Sequence, residues 1–300
     1  MGHHRTHVFR FPRILLIAGA AVLAGVGFGA DIGLAQSENQ QINPTVDQKL
    51  PVPNFWDPRN TATKPNLEIT ELRFLASDDF PPFSFRDAKG NLTGFNIDLS
   101  RALCQELELS CSLRVKDFTD LEKALIDDEG DAIIAGIAIT EASRERLLFT
   151  DPYLRIPGRF VVRADFEGDP RPESLNGRTI SVIKGTAHEA YLKRFFVDSE
   201  IATFETADDA RDALRDGAVD AHFSDSLSLG FWLYSEDAAD CCVFKGGAWD
   251  NRDFFGPGHS IALPLEDAEL AQAINYAFRR LYEKGLYREL YFRYFPGGLY

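Results

Sequence analysis

The sequence predicts an α/β protein of two similar lobes, and three observations support that fold class. Short apolar runs alternate with amphipathic stretches of helical periodicity from about residue 67 onward. The order is strand then helix, repeated, which is typical of a parallel sheet covered on both faces. An Ala-Leu and Asp-Ala pattern also recurs, because Leu125 to Asp131 and Leu214 to Asp220 have equal spacing. Two such lobes would form a cleft at the carboxyl ends of their strands, where α/β sheets bind ligands.

The elements follow one another in a simple order. "ITELRFLAS" is predicted to be a strand, "FNIDLSRALCQELEL" a helix with apolar residues at helical spacing, and "DAIIAGIAI" a buried strand. "TISVIKG" is predicted to be a further strand that leads into the helix "TAHEAYLKRFF". Residues 265–295 are predicted to be helical with a break at Gly285, and their aromatic side chains are assigned to the core.

The N-terminus has the layout of a secretory signal peptide over residues 1–35. Three arginines precede the apolar stretch 14–30, and small residues follow at 33–35. The alternative is an uncleaved anchor, because seventeen apolar residues lie at the lower limit of a spanning helix. In both cases we expect the body of the protein outside the cytoplasm, in the periplasm.

A polar linker is predicted at residues 36–66, which are rich in Pro, Asn, Gln and Thr and lack periodicity, with "NFWDP" docking on the folded body. The chain carries a net charge of −14. Removal of residues 1–35 takes away three arginines and one aspartate and leaves −16. Such a surface repels nucleic acid and anionic lipid headgroups, so we expect no nucleic-acid partner.

The four cysteines divide into two close pairs. An oxidising compartment favours a bridge between Cys104 and Cys111, which are seven residues apart. A continuous helix would separate them by about 10 Å, so the predicted helix must end between them. For the adjacent Cys241 and Cys242, a vicinal bridge, two thiols and an intermolecular link all remain open.

Motifs for catalysis and cofactor binding are absent from the sequence. It contains no glycine-rich phosphate loop, no H-E-x-x-H, no C-x-x-C and no G-x-S-x-G. His188, His222 and His259 are too scattered to imply a metal cluster. We therefore expect no catalytic residue, cofactor or metal.

Several ordered motifs resemble the family 3 extracytoplasmic solute-binding proteins of ABC importers. They are "DDFPPFSFRDAKGNLTGFNIDLSRALCQEL", "DAIIAGIAITEASRERLLFTDPY", "LNGRTISVIKGTAHEAYL", "GAVDAHFSD" and "INYAFRRLYEKGLYRELYFRYF". The resemblance spans about residues 68–296 and implies a type II periplasmic-binding-protein fold of two Rossmann-like lobes that close on a ligand. The implied lobes are residues 67–155 with 259–300, and residues 156–258. It also implies a disulfide between Cys104 and Cys111, a membrane ABC permease as partner, and a monomer.

The resemblance further implies a ligand site. Its candidate residues are Asp79, Phe80, Phe118, Ala135, Gly136, Ala138, Ser143, Gly185, Thr186, Ala187 and Asp225. Phe80 and Phe118 are implied to enclose the ligand by stacking. Free backbone N–H groups near Thr186 would hold an anion, and Asp225 would receive an ammonium group.

Two positions depart from the family pattern. The family uses an arginine where this chain has Ser143, and Arg144 follows one residue later, rotated by about 100° if Thr140 caps a helix. Ala138 stands where a Ser or Thr is common. We therefore expect a small, polar, amine-bearing ligand, an amino acid or a derivative. The alternatives are a cyclohexadienyl- or arogenate-type dehydratase on the same fold and a free-standing periplasmic sensor.

Overall fold

The computed structural model describes residues 52–56 and 64–300. The predicted signal peptide and most of the predicted linker therefore lie outside the described residues. The strands of the described part are β1 (Glu71–Ala76), β2 (Asp79–Phe80), β3 (Ser84–Arg86), β4 (Leu92–Thr93), β5 (Ser110–Val115), β6 (Ala132–Ile133), β7 (Leu147–Phe149), β8 (Gly158–Arg163), β9 (Thr179–Ile183), β10 (Glu200–Phe204), β11 (Ala221–Asp225), β12 (Cys242–Trp249) and β13 (Ala262–Pro264). The helices are α1 (Phe95–Leu107), α2 (Leu121–Ile126), α3 (Glu141–Arg144), α4 (Ala187–Phe195), α5 (Ala207–Arg215), α6 (Ser226–Leu233), α7 (Arg252–Phe255), α8 (Ala268–Glu283) and α9 (Leu286–Tyr294).

Two five-stranded sheets organise the chain. The first has the strand order β5-β1-β6-β13-β7 and, with α1, α2, α3, α8 and α9, forms what we name the first lobe. The second has the order β10-β9-β11-β8-β12 and, with α4 to α7, forms the second lobe. A small antiparallel sheet, β2-β3-β4, adjoins the first. The chain passes between the two large sheets twice, through residues 150–157 and 250–261, and α7, which lies within the second crossover, packs on α4 of the second lobe.

The predicted parallel pairing holds for three strands of each large sheet, and the remaining strands make the sheets mixed. Strands β1, β5 and β6 are parallel, as are β9, β10 and β11, but β8 and β13 run antiparallel to their neighbours. Each of these two strands directly follows a crossover. The chain enters the new sheet at the edge where the parallel strands end, since Asp225 pairs with Gly158 and Ile133 with Ala262. A strand that starts at that edge can only run antiparallel.

The repeated spacing in the sequence corresponds to a repeated contact. In the first lobe the Asp131 carboxylate accepts the N–H of Arg73, 2.7 Å away, and pairs with that residue's guanidinium. In the second lobe the Asp220 carboxylate accepts the N–H of Thr179, 2.9 Å away, and pairs with Arg178. Each aspartate thus precedes one strand and holds the backbone of the neighbouring strand, β1 in the first lobe and β9 in the second, so the two lobes share one local design.

Aromatic side chains of the C-terminal helices form much of the first core, as predicted. Tyr287 and Tyr291 are fully buried, and Gly285 separates α8 from α9 with a positive φ of 77°. Trp56 of the predicted linker is 4% exposed and stacks on Phe278 with ring centroids 5.6 Å apart. The described part of the predicted docking segment, residues 54–56, therefore packs on the folded body through Trp56.

Both cysteine pairs form disulfides. Helix α1 ends at Leu107, and Glu108 adopts the left-handed conformation with φ 62°. The chain reverses there, which brings the Cα atoms of Cys104 and Cys111 to 5.7 Å, as predicted. Cys241 and Cys242 form a vicinal disulfide, the first of the three alternatives left open by the sequence.

The predicted strand "DAIIAGIAI" is shorter than expected, because only Ala132–Ile133 belong to the ladder. Ala135 is still buried, but Gly136 has a positive φ of 73° and turns the chain out of the sheet. The residues that follow form a wall of the cavity described next. Within residues 52–56 and 64–300, no helix combines the length and the apolar character that a membrane span requires.

Candidate functional site

A cavity of about 480 Å³ lies between the two lobes. Its walls come from both sheets and both crossovers, as expected for a cleft at the carboxyl ends of the strands. Residues of the first lobe and of the crossovers that line it are Gly136, Ile137, Ala138, Ile139, Arg155, Ile156, Asp250, Gly256, Pro257, Gly258 and His259. Residues of the second lobe are Ala187, His188, Asp225, Phe254 and Phe255.

Asp225 ends β11 and is the N-cap of α6. Its carboxylate accepts the backbone N–H of Ser228 at 2.7 Å and the hydroxyl of Ser228 at 2.6 Å. These two bonds hold the carboxylate at the cavity surface in one orientation. Among the described residues, no lysine or arginine forms an ion pair with it, so its charge is available to a ligand.

Ser143 lies inside a capping box at the start of α3. Thr140 Oγ1 accepts the Ser143 N–H at 3.1 Å, and Ser143 Oγ accepts the Thr140 N–H at 2.9 Å. Ser143 Oγ also donates to the carbonyl of Ala138, 2.8 Å away, and the residue is only 6% exposed. The serine therefore organises the loop behind the cavity wall. Arg144 points elsewhere, as expected, and its guanidinium lies 5.9 Å from the ring of Phe149.

The segment Gly185–Ala187 joins β9 to α4. The Gly185 N–H is bound by the carboxylate of Glu189 at 2.6 Å, and Glu189 is itself paired with Lys193. Thr186 is the N-cap of α4 and accepts the N–H of Glu189. The N–H groups of the first helical residues have no partner within the helix, and Ala187 and His188 line the cavity.

Two histidines reach the cavity from opposite sides. His188 stacks on Phe255, with ring centroids 4.9 Å apart, and burial lowers its pKa. His259 stacks on Phe83 at 5.1 Å, and burial lowers its pKa to about 4. Nε2 of His188 and Nδ1 of His259 are buried without a partner in the described part of the chain.

Arg155 is the one cationic side chain among the described residues that line the cavity. It lies on the first crossover and pairs with Asp250 of the second, with 3.1 Å between Nη1 and Oδ2. Its Nε donates to the carbonyl of Pro257 at 3.2 Å, and its guanidinium lies 5.1 Å from the ring of Phe55. The arginine therefore joins the two crossovers to each other and to the N-terminal segment.

The other predicted site residues lie at varying distances from this cavity. Phe80 is half-buried and packs behind Gly136, where a Cβ would come within 3.2 Å of its ring. Ala135 is buried, whereas Asp79 is exposed and Phe118 is 47% exposed. Of these four residues, none lines the cavity.

Sequence reasoning missed His188, His259 and the pair of Arg155 and Asp250. The three histidines were considered only as possible metal ligands, and they are widely spaced in the sequence. Nothing in the local sequence shows that residues 188 and 259 converge. Only the two crossovers bring them to one cavity.

Two α/β lobes joined by two crossovers around a polar cavity define a two-lobed solute-binding protein. Residues 72–297 match the model of the bacterial extracellular solute-binding proteins, family 3, and the chain belongs to this family. It is similar to the lysine/arginine/ornithine-binding periplasmic protein of Escherichia coli, with 28% identity over 80% of this chain and 94% of the relative. It is also similar to the L-arginine-binding protein of Pseudomonas aeruginosa, with 30% identity over 74% of this chain and 86% of the relative.

A solved structure supports the fold. The second substrate-binding domain of a putative amino acid ABC transporter from Streptococcus pneumoniae matches 75% of this chain and 99% of its own, with a TM-score of 0.64 and 21% identity. This likeness confirms the type II periplasmic-binding-protein fold that the sequence motifs implied.

Proposed function

We propose that this protein is the extracytoplasmic solute-binding subunit of an ABC importer and that a small amine-bearing solute binds in the cavity between the lobes. The observation that carries the proposal is the Asp225 carboxylate. It faces a cavity enclosed by both lobes, and no basic side chain of the described residues pairs with it. Removing water from a carboxylate as the lobes close costs free energy unless a cation takes the place of that water.

The rest of the cavity fits the same kind of ligand. Phe254 and Phe255 provide aromatic surface beside Asp225, and aromatic faces attract organic cations by about 0.5–2 kcal/mol each. Both named relatives bind cationic amino acids by their names, which supports a cationic group on the ligand.

Binding is proposed to act through hinge closure. The crossovers meet in a short antiparallel contact, where the His259 N–H donates to the Leu154 carbonyl at 2.7 Å and the Tyr153 N–H to the His259 carbonyl at 2.8 Å. We propose that the lobes rotate about this contact, with one lobe boundary near residues 155 and 156 and the other near residues 258 and 259. A ligand that contacts Asp225 and the Gly136 side together stabilises the closed form, because only the closed form makes both sets of contacts.

The location and partners follow from this role. We propose that residues 1–35 direct export, that the protein acts as a monomer outside the cytoplasm, and that its closed form docks on a membrane permease. The relatives' names describe periplasmic proteins, which supports an extracytoplasmic location. We propose binding without catalysis, and turnover of prephenate or arogenate by the purified protein would contradict this.

The Asp225 carboxylate can be tested separately from its structural role. Asp225→Ser keeps an N-cap for α6, because serine is a good N-cap residue, but removes the negative charge. In a thermal-shift and calorimetric screen we expect agmatine, cadaverine, L-arginine or L-lysine to raise the melting temperature of the wild type. Asp225→Ser should keep the ligand-free melting temperature and weaken that binding about 30- to 100-fold, as expected for a lost charge-assisted contact.

Asp225→Ala is the matched control, since it removes both the cap and the charge. Its ligand-free protein should be less stable by about 1 kcal/mol, and its binding should be as weak as that of Asp225→Ser. The proposed function is contradicted if none of the four solutes binds the wild type, or if Asp225→Ser binds as tightly as the wild type does.

A further inference from the structure

At each of the three places where this cavity could bind a ligand carboxylate, the protein's own groups oppose that binding. The first is the wall at α3. Ser143 replaces the arginine expected by resemblance, and its hydroxyl is bound to Thr140 and to the carbonyl of Ala138. Arg144 is exposed and lies over Phe149. This wall therefore offers no cation to a carboxylate.

The second place is the N-terminus of α4. Unbonded N–H groups and the helix dipole favour an anion at such a position. Glu189 already places a carboxylate there, because its Oε2 accepts the Gly185 N–H at 2.6 Å and its Oε1 lies 2.5 Å from Lys193. Lys184, the basic residue next to this turn, is exposed and paired with Glu205. A ligand carboxylate at Ala187 or His188 would lie beside this internal anion.

The third place is Arg155. Its guanidinium donates to Asp250 and to the carbonyl of Pro257, and its side chain is only 12% exposed. A ligand carboxylate would have to displace Asp250 and leave that carboxylate without its partner, which costs more than it gains. With Asp225 added, the lining side chains Arg155, Asp250 and Asp225 carry one excess negative charge.

We infer that the cavity takes an organic cation without a free carboxylate, such as a diamine or an alkylguanidine, and disfavours the corresponding α-amino acids. This inference rests on the proposed function and names the ligand class of the same site. The cation meets Asp225 and the aromatic rings, whereas the carboxylate of an amino acid would be desolvated without a cationic partner.

Matched pairs that differ only in the carboxylate test the inference. Agmatine with L-arginine, cadaverine with L-lysine and histamine with L-histidine are titrated into the full-length protein by calorimetry. We expect at least one amine to bind at least tenfold tighter than its amino acid. An amino acid that binds as tightly as its amine, or tighter, overturns the inference and leaves the proposed function intact. If no member of any pair binds, both are overturned.

A charge variant tests the mechanism. Glu189→Gln keeps an acceptor for the Gly185 N–H but removes the internal anion, so the preference for amine over amino acid should fall at least threefold while the melting temperature stays near that of the wild type. Glu269→Gln is the control, since Glu269 is likewise an acidic residue in the first turn of a helix, but it is exposed, whereas Glu189 is buried, and it lies in α8, outside the cavity lining. An equal preference in the wild type and Glu189→Gln would contradict the occupied-anion-site explanation.

Discussion

Buried histidines should make this protein less stable as the pH falls from 8 to 5. His222 lies in β11 with no exposed surface, and burial lowers its pKa to about 4. The hydrogen bond to the Ser181 carbonyl raises this pKa, but by less than burial lowers it. His259 has its pKa lowered to about 4 as well. Because both folded pKa values lie below the usual 6.5, the unfolded chain binds more protons below that pH.

The size of the effect follows from these values. A histidine of pKa 6.5 in the unfolded chain and about 4 in the folded protein contributes its full stability above pH 7, and about 2 kcal/mol of that is lost at pH 5. For His222 and His259 together, the free energy of unfolding should therefore fall by about 4 kcal/mol between pH 8 and pH 5. Paired carboxylates such as Glu122, whose pKa is lowered by Arg146, lose their contribution mainly at more acidic pH. The interval from pH 8 to 5 therefore reports chiefly on the histidines.

Urea unfolding at pH 8, 7, 6 and 5 measures the loss as a change in the free energy of unfolding. His222→Asn is the informative variant, because its amide can replace the Nδ1 donor next to the Ser181 carbonyl but cannot be protonated in this range. The variant should lose about 2 kcal/mol less than the wild type between pH 8 and 5. A wild-type stability that is constant over this interval, or a variant with the same pH dependence as the wild type, would refute the reasoning.

Two further substitutions test the structural roles assigned above. Trp56→Ala should lower the free energy of unfolding by about 3–4 kcal/mol, because Trp56 is 4% exposed and packs on Phe278; a change under 1 kcal/mol in urea would show that the N-terminal segment does not contribute to the core. Asp220→Ala should cost about 2 kcal/mol, because it leaves the Thr179 N–H and Arg178 without their shared partner. Equal stability of that variant and the wild type would contradict the role of Asp220 in the repeated contact.

Much of the fold could be predicted because it depends on local patterns. Helix α1, helix α4 and the break at Gly285 each have their own periodicity or turn residue, and the repeated Leu to Asp spacing led to the two similar lobes. The antiparallel strands β8 and β13 were missed because their direction depends on where the chain enters each sheet. That depends on the crossovers and leaves no pattern in the strands themselves.

The candidate site could be predicted only in part, for a related reason. The lining residues Gly136, Ala138, Ala187 and Asp225 could be named in advance because the family resemblance carries over at these positions. The pairing of Arg155 with Asp250 joins residues 95 positions apart and requires both crossovers in place. Local sequence also could not show that the Gly185 N–H is bound by Glu189, since that depends on the side-chain conformation of the glutamate.

The occupied anion positions and the free Asp225 carboxylate together define an order of preference among solutes. An anion meets the excess negative charge of the lining and no unpaired cation among the described lining residues, so it is the least favoured ligand. A zwitterion gains the contact with Asp225 but loses hydration of its carboxylate without a cationic partner. A cation without a carboxylate gains the contact with Asp225 and has no carboxylate hydration to lose. Ser143, which stands where the resemblance implies an arginine, therefore narrows the class of ligands. Its hydroxyl is bound within the loop at α3, to the Ala138 carbonyl, and it offers no positive charge. Asp225 is then the unpaired charge at the described cavity surface.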